Sequence, residues 1–372
     1  MAHKTLRAGV LILAGAIAAP AGTEDWSWNL PDFIPPPPVP EDNPMSEAKV
    51  DLGRHLFYDG RLSLDGTMAC ASCHVQSLAF SDGRAVSIGI DGEATRKNAQ
   101  GLANVGYMPI LTWANPHMDS IEFQALVPLF GDDPREMGSG GHDVAIFERL
   151  MADPFYADAF PKAFPEREDA QADLFTVTRA LAAFQRSLTS FDSPYDRYRH
   201  GGDEDAISEA AKRGEQHFFD HRFECYHCHV GTLLTDNLQT ATAPWQETGF
   251  HNTGLHAILP TRTPGLIEFT GRPEDEGRFR TPSLRNVAVT APYMHDGSVA
   301  DLAAAIAHYA QGGRGGHPGT SGLLVGFEIT EAETAELIAF LESLTDETFL
   351  TDPRHADPWP EDHAARVDRA MP

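Results

Sequence analysis

Cysteine is scarce in this chain. Its 372 residues contain four, all in two short runs, Cys70-Ala71-Ser72-Cys73-His74 and Cys225-Tyr226-His227-Cys228-His229. No thiol remains for any other pairing, which opposes a disulfide framework. Both runs end in histidine and neither is followed by a further Cys-x-x-Cys, which opposes zinc. Long apolar runs are missing too: Ala8–Ala19 spans twelve residues, too few to cross a bilayer core, and no other segment is a better candidate. Basic residues are few. Lys and Arg number 28 against 54 Asp and Glu, a formal net charge of −26. That balance opposes nucleic acid or an anionic membrane surface as partner. It is compatible with a basic protein partner, and equally with the plain solubility of an exported protein. Convincing strand patterns are also few, so the expected fold is mainly α.

What the cysteines do is written in their spacing. C-x-x-C-H is the attachment signature of a c-type haem. Two thiols separated by two residues add to the two vinyl groups of one porphyrin, and the next histidine is held under the ring as an axial ligand. Two copies imply two covalent haems, on Cys70/Cys73 with His74 and on Cys225/Cys228 with His229.

The flanks repeat as well. Gly53, Phe57, Tyr58, Asp59, Arg61 and Leu62 recur as Gly214, Phe218, Phe219, Asp220, Arg222 and Phe223, each pair 161 positions apart. After the motifs, Val75, Leu78 and Ser81-Asp82 recur as Val230, Leu233 and Thr235-Asp236. Helix, short loop and haem motif are thus duplicated, which predicts two tandem cytochrome-c-like domains, each with one covalent c-type haem.

Residues 1–21 read as a secretory signal, with Lys4 and Arg7 ahead of the apolar run and small residues at Ala16, Ala18, Ala19 and Ala21 for cleavage. Export to the periplasm suits a protein whose haems are attached outside the bacterial cytoplasm. Residues 22–44, with Pro35–Pro38, read as an extended arm. The first domain is expected over 45–200, the second over 201–350, and a polar, proline-containing tail, a strap or disordered, over 351–372. Met45, Ala48, Leu52 and Leu56 predict a helix after Pro44, and Ile207, Ala210, Gly214 and Phe218 its counterpart. Leu174, Val177, Leu181, Phe184 and Leu188 predict a strong amphipathic helix between the motifs. Thr330 and Glu333 predict a capping box ahead of Leu337, Phe340, Leu341 and Leu344.

Function turns on the second axial position of each iron, because an open iron binds peroxide and a filled one only passes electrons. From Val75 to Pro116 the chain has no histidine and a single methionine, Met108. The first haem is therefore expected to be five-coordinate, with His117 the nearest residue able to spoil that. No methionine occurs between Met294 and Met371. The helix carrying Leu302, Ile306 and Tyr309 on one face can offer Tyr309 or His308 to the second iron, and Tyr309 shares the apolar face. An ordinary buried tyrosine fits the same spacing.

These residues resemble the bacterial di-haem cytochrome c peroxidase/MauG family over nearly all of the expected mature length. The likeness is carried by Phe57-Tyr58-Asp59-Gly60-Arg61-Leu62-Ser63 leading into the first haem motif, and by Thr281-Pro282-Ser283-Leu284-Arg285-Asn286 leading into Ala291–Gly297. In the peroxidases of this family a histidine after the first motif caps the peroxide-reactive haem until reduction releases it. Here that position falls near Ile90. In the same peroxidases a methionine fourteen residues after the His-Asp-Gly histidine binds the second iron; here it is Tyr309, as in MauG. The resemblance further implies that Trp113 relays electrons between the haems. It implies that Gln124, Pro128 and Glu136 form the distal pocket, with two extra residues before the glutamate, which is suited to shuttle peroxide protons. It implies a calcium ion between the haems on Asn98, Thr290 and Pro292. Phe223 stands where MauG has a surface tryptophan, so the exit for oxidising equivalents differs.

Leu102-Ala103-Asn104-Val105, Leu111-Thr112-Trp113-Ala114-Asn115-Pro116 and the arm from Pro31 to Met45 look most like the methanobactin-associated MbnH-type enzymes. Those use hydrogen peroxide and a paired high-valent di-haem state to convert a tryptophan of a copper-binding partner protein to kynurenine. The expectation is therefore a periplasmic, peroxide-dependent oxidase of protein-bound tryptophan. A cytochrome c peroxidase fed by a small cytochrome or cupredoxin is the alternative, and a plain electron carrier the third.

Overall fold

The computed structural model describes residues 26–243, 248–313 and 315–367, so the expected signal segment lies outside the described residues. The first half carries α1 (Glu47–Phe57), α2 (Ile121–Gln124), α3 (Leu126–Phe130), α4 (Asp143–Met151), α5 (Pro154–Ala163) and α6 (Leu174–Ser187). The second carries α7 (Pro194–Arg199), α8 (Glu209–Phe218), α9 (Ile267–Thr270), α10 (Leu302–Ala310), α11 (Glu331–Glu342) and α12 (Glu347–Thr351). The only strands among the described residues are the two-residue β1 (Phe250–His251) and β2 (Phe279–Arg280), paired antiparallel.

Each half is built on one helix crossing. Ser46 caps α1 through Lys49 N, and Asp173 caps α6 through Thr176 N. The two helices then cross at Gly53, where a Cβ would lie 1.9 Å from the Ala180 carbonyl oxygen. In the second half, Ser208 caps α8, Thr330 and Glu333 form the capping box of α11, and the crossing is at Gly214. A Cβ there would lie 1.9 Å from the Glu336 carbonyl oxygen. Only glycine allows backbones to approach this closely.

Around the first crossing Leu52, Leu56, Phe57, Leu181 and Phe184 pack with Leu150, Tyr156 and Phe160. Leu174, on the stripe read from the sequence, is 45% exposed while Val177, Leu181, Phe184 and Leu188 are buried. It is the first residue of α6, and the helix enters the core only from Thr176 onward. Around the second crossing Phe218, Leu337, Phe340 and Leu341 pack with Tyr195 of α7. The chain then returns: Phe349, Leu350, Trp359 and Ala365 all join the first core. Tyr58 Oη donates to the His355 carbonyl (2.7 Å) and Trp359 Nε1 to the His55 carbonyl (3.0 Å), so the described tail is a strap over α1.

The halves meet on Ser190. Asn104 and Asn286 both adopt left-handed backbone (φ 61° and 60°), each opening a short 3-10 turn. Asn104 Nδ2 donates to the Ser190 carbonyl and Asn286 Nδ2 to Ser190 Oγ, both at 3.0 Å. Beside them Arg285 makes a buried two-point pair with Asp196 (2.7 and 2.8 Å). The arm lies over this junction: Ile34 is buried with Tyr107, Met108, Phe191 and Leu233, and Tyr107 Oη donates to the Pro35 carbonyl (3.0 Å). Among the described residues, no helix is long and apolar enough to cross a membrane.

Candidate functional site

Both C-x-x-C-H motifs open onto one cavity of about 750 Å³. In the first half, left-handed residues Ala79 and Phe80 turn the chain back after His74, and the Phe80 carbonyl receives His74 Nδ1 at 2.6 Å. In the second, left-handed Leu234 does the same, and its carbonyl receives His229 Nδ1 at 2.9 Å. A carbonyl partner fixes Nδ1 as the donor and leaves the Nε2 lone pair as the metal-ligating end. Burial lowers the pKa of both imidazoles, which keeps them neutral and able to ligate. The four thiols are unpaired. Burial pushes Cys70 and Cys225 up to about 12 and Cys73 to about 11.

At the first end the wall is formed by Gln124, Pro128 and Glu136. Ser120 caps α2 and so places Gln124 at its end, one residue before α3 with Pro128. Met137 N donates to the Pro128 carbonyl (3.0 Å), which folds Glu136 in beside it despite the two extra residues. Burial raises the Glu136 carboxyl above its ordinary value. Ile90 N donates to the Glu136 carbonyl (2.8 Å), so the segment that would carry a capping histidine instead buttresses the glutamate. His117 is exposed and lies off the cavity wall.

At the second end, Asp301 caps α10 through Ala304 N (2.8 Å) and the helix brings Tyr309 onto the wall. Burial, with Cys228 and Cys225 adjacent, raises the phenol well above its ordinary value. It stays protonated unless a metal captures it. His308 turns the other way, its Nε2 2.9 Å from the Thr253 carbonyl.

Trp113 also lines the cavity. Its Nε1 donates to the Asn98 carbonyl (2.9 Å), and its own carbonyl accepts Arg280 N (2.9 Å). Asn98, Thr290 and Pro292 lie on the same wall. Asn98 Nδ2 faces the carbonyls of Arg84 (2.7 Å) and Pro292 (3.5 Å). Converging carbonyl oxygens suit a hard cation, for which the Asn98 amide must turn its oxygen inward.

Arg280 supplies a further fit to haem. Its guanidinium is buried on the wall, bonded to carbonyl and amide oxygens of Thr112, Leu111 and Gln100, with no carboxylate in salt-bridge range among the described residues. Burial pulls its pKa down to about 10. A buried cation lacking an anion suits a carboxylate-bearing ligand, and haem carries two propionates. The histidine donors, the two free thiols of each motif and this cation therefore fit two haems c.

Sequence reasoning missed one partner of the second motif. His251 Nε2 lies 2.7 Å from Asp236 Oδ2, beside Cys228. In the first half the matching Asp82 accepts Ser87 Oγ at 2.6 Å, beside Cys73. The repeated Ser/Thr-Asp was a signal for the carboxylates. Nothing local announced their partners, which come from separate loops.

Two such motifs facing one cavity in a helical fold define a di-haem c-type cytochrome. A family model described as di-haem cytochrome c peroxidase matches residues 47–205. Cytochrome-c peroxidase IdrP1 of Denitromonas iodatirespirans is 35% identical, covering 96% of this chain and 97% of the relative. Methylamine utilization protein MauG of Methylorubrum extorquens is 37% identical, covering 82% of this chain and 81% of the relative. A solved crystal structure of a MauG-like protein associated with microbial copper homeostasis is 47% identical, with a TM-score of 0.87, covering 90% of this chain and all of that one. The chain belongs to the di-haem cytochrome c peroxidase/MauG family. It is a peroxide-dependent oxidoreductase of that family.

Proposed function

We propose that this chain is an exported, periplasmic enzyme that uses hydrogen peroxide to oxidise tryptophan on a partner protein, of the tryptophan-to-kynurenine type. Cys70, Cys73 and His74 would hold the haem that reacts with peroxide, and Cys225, Cys228, His229 and Tyr309 would hold the second, electron-passing haem. When bound, the haems supply the redox chemistry. The protein's own work is to position and to move protons. Glu136 takes the first peroxide proton and returns it to the leaving oxygen. Gln124 and Pro128 confine the peroxide beside it. Trp113 would carry electrons between the two ends, and Asn98, Thr290 and Pro292 would hold a calcium ion. A tryptophan-bearing, copper-binding periplasmic protein is the partner we favour, in keeping with the association of the 47% identical MauG-like protein with microbial copper homeostasis.

The observation that carries this reading is Tyr309 on the wall beside Cys225 and Cys228, where a phenolate stabilises high iron oxidation states. The test is spectroscopic. The resting ferric protein should give one high-spin and one low-spin EPR signal, and one equivalent of peroxide should raise a long-lived near-infrared band. Tyr309→His should keep both haems and lose the band. Persistence of the band in that variant, or two low-spin resting haems, would defeat the reading.

The second reading is a cytochrome c peroxidase that draws electrons from a small cytochrome or cupredoxin, favoured by the 35% identity to a cytochrome-c peroxidase. Fast steady-state peroxide turnover with such a donor would establish it; negligible turnover would dismiss it.

A further inference from the structure

We propose that His256, His295 and Asp296 form a site for a divalent d-block cation of the Zn²⁺ kind, beside the Asn98 cluster. Two loops meet to make it. His256 follows β1, while His295 and Asp296 sit in the turn Met294–Gly297, whose ends are both left-handed (φ 73° and 62°). The turn is clamped: a Cβ on Gly297 would lie 2.3 Å from Ala85 Cα, so the first half's loop closes over it.

Each side chain is already oriented. The His295 ring stacks flat on Phe279, centroids 3.7 Å apart and planes 14° from parallel. His295 is 5% exposed, and its Nε2 has no hydrogen-bond partner. Asp296 Oδ2 is 2.7 Å from His256 Nε2, and Oδ1 accepts Ser298 N at 3.0 Å. One ligand atom from each residue lies within 4.8 Å of the other two. Ligand atoms around a tetrahedral Zn²⁺ with bonds of about 2.0–2.1 Å sit roughly 3.3 Å apart, so small side-chain rotations close the set.

The donor set chooses the ion. Two imidazoles and one carboxylate suit Zn²⁺ and its d-block neighbours, whereas Ca²⁺ and Mg²⁺ want oxygen throughout. The His256 and Asp296 side chains are 27% and 20% exposed, enough for an ion to enter and for water to complete the coordination. The unpartnered Nε2 of His295 is the ring nitrogen left to meet a metal. A bound metal would displace whatever proton His256 and Asp296 share. The His295 carbonyl accepts Asn98 N at 2.9 Å, so an ion here would also brace the segment between the two halves.

The test uses the full haem-loaded protein, stripped with chelator, returned to Ca²⁺ and titrated with Zn²⁺, which is redox-silent toward haem. Wild type should retain one Zn²⁺ per chain after desalting, measured by mass spectrometry of the metal. Anomalous scattering at the zinc edge should place it between His256 and His295. His256→Ala and Asp296→Asn should each weaken binding at least 100-fold while both haem spectra stay unchanged. Equal retention in wild type and both variants would mean binding at other surface histidines, and would overturn the site. No retention in wild type would also overturn it.

Discussion

The two halves keep one scaffold and differ in what faces the open side of each motif. Gly53 and Gly214 make the same close crossing, the carbonyls of Phe80 and Leu234 orient the two proximal histidines, and Asn104 and Asn286 make the same left-handed turn onto Ser190. On the cavity wall near Cys70 and Cys73 stands a carboxyl, Glu136; on the wall near Cys225 and Cys228 stands a phenol, Tyr309. Beside the second cysteine of each motif an aspartate takes a neutral hydroxyl in one half and an imidazole in the other. Duplication preserved what holds a haem in place. Divergence fell on the residues that line the cavity beside each motif.

The largest effect expected from breaking this contrast is at Glu136, which has no counterpart in the second half. Glu136→Gln should slow the reaction with peroxide by about 10²–10⁴-fold, the usual worth of a positioned acid–base group. The sign of its pH dependence follows from the raised carboxyl. The deprotonated, base-competent form appears only above a pKa higher than the ordinary 4.5, so the wild-type rate should fall on acidification with a midpoint above that value. Stopped-flow rates against pH would show the limb, and the variant should lack it. A limb that survives in the variant belongs to another group.

Next in size is Arg285, where the repeat departs from itself: Leu102-Ala103-Asn104-Val105 in one half becomes Leu284-Arg285-Asn286-Val287 in the other. The Arg285 and Asp196 side chains are 2% and 3% exposed. Removing one partner strands a buried charge, so Arg285→Ala should cost about 3–5 kcal/mol in denaturant unfolding. Because α7 and the Thr232 carbonyl are both tied to this guanidinium, the loss should appear first in the second haem's absorption. If the first haem is lost first, the junction is not organised as described.

How much of this was legible in the sequence depends on range. The haem motifs, the cap at Thr330 and the duplicated flanks are local patterns, and the helix-dominated fold followed from them. Tyr309 could be singled out because its helical spacing placed it on an apolar face with no methionine near. Range hid the rest. Tyr195 carries no local signal of its packing, yet it packs on Phe340, far along the chain. The strap from Phe349 to Ala365 returns to α1 through backbone carbonyls that no residue type advertises. Leu174 showed the opposite failure, since periodicity cannot tell where along a stripe the core begins.

The smallest effect sharpens the contrast at the second cysteines. The hydrogen bond to Asp236 first, and then Cys228, raise His251 to about 10. A folded pKa above the ordinary imidazole value of about 6.5 means stability fully present below that pH and lost as pH rises through the folded value. Once Cys228 is a thioether its share of the shift disappears, so the loss should begin well before pH 10. His251→Gln should therefore cost about 1.5–3 kcal/mol at pH 6, the worth of a charge-assisted hydrogen bond, and progressively less toward pH 10. The partner experiment in the first half is Ser87→Ala, which removes a neutral donor to a carboxylate and should cost about 1.5–3 kcal/mol but stay flat across the same range. Denaturant unfolding at three pH values separates the two. A His251 effect as flat as that of Ser87 would mean the imidazole is neutral, and the contrast at the second cysteines would be lost.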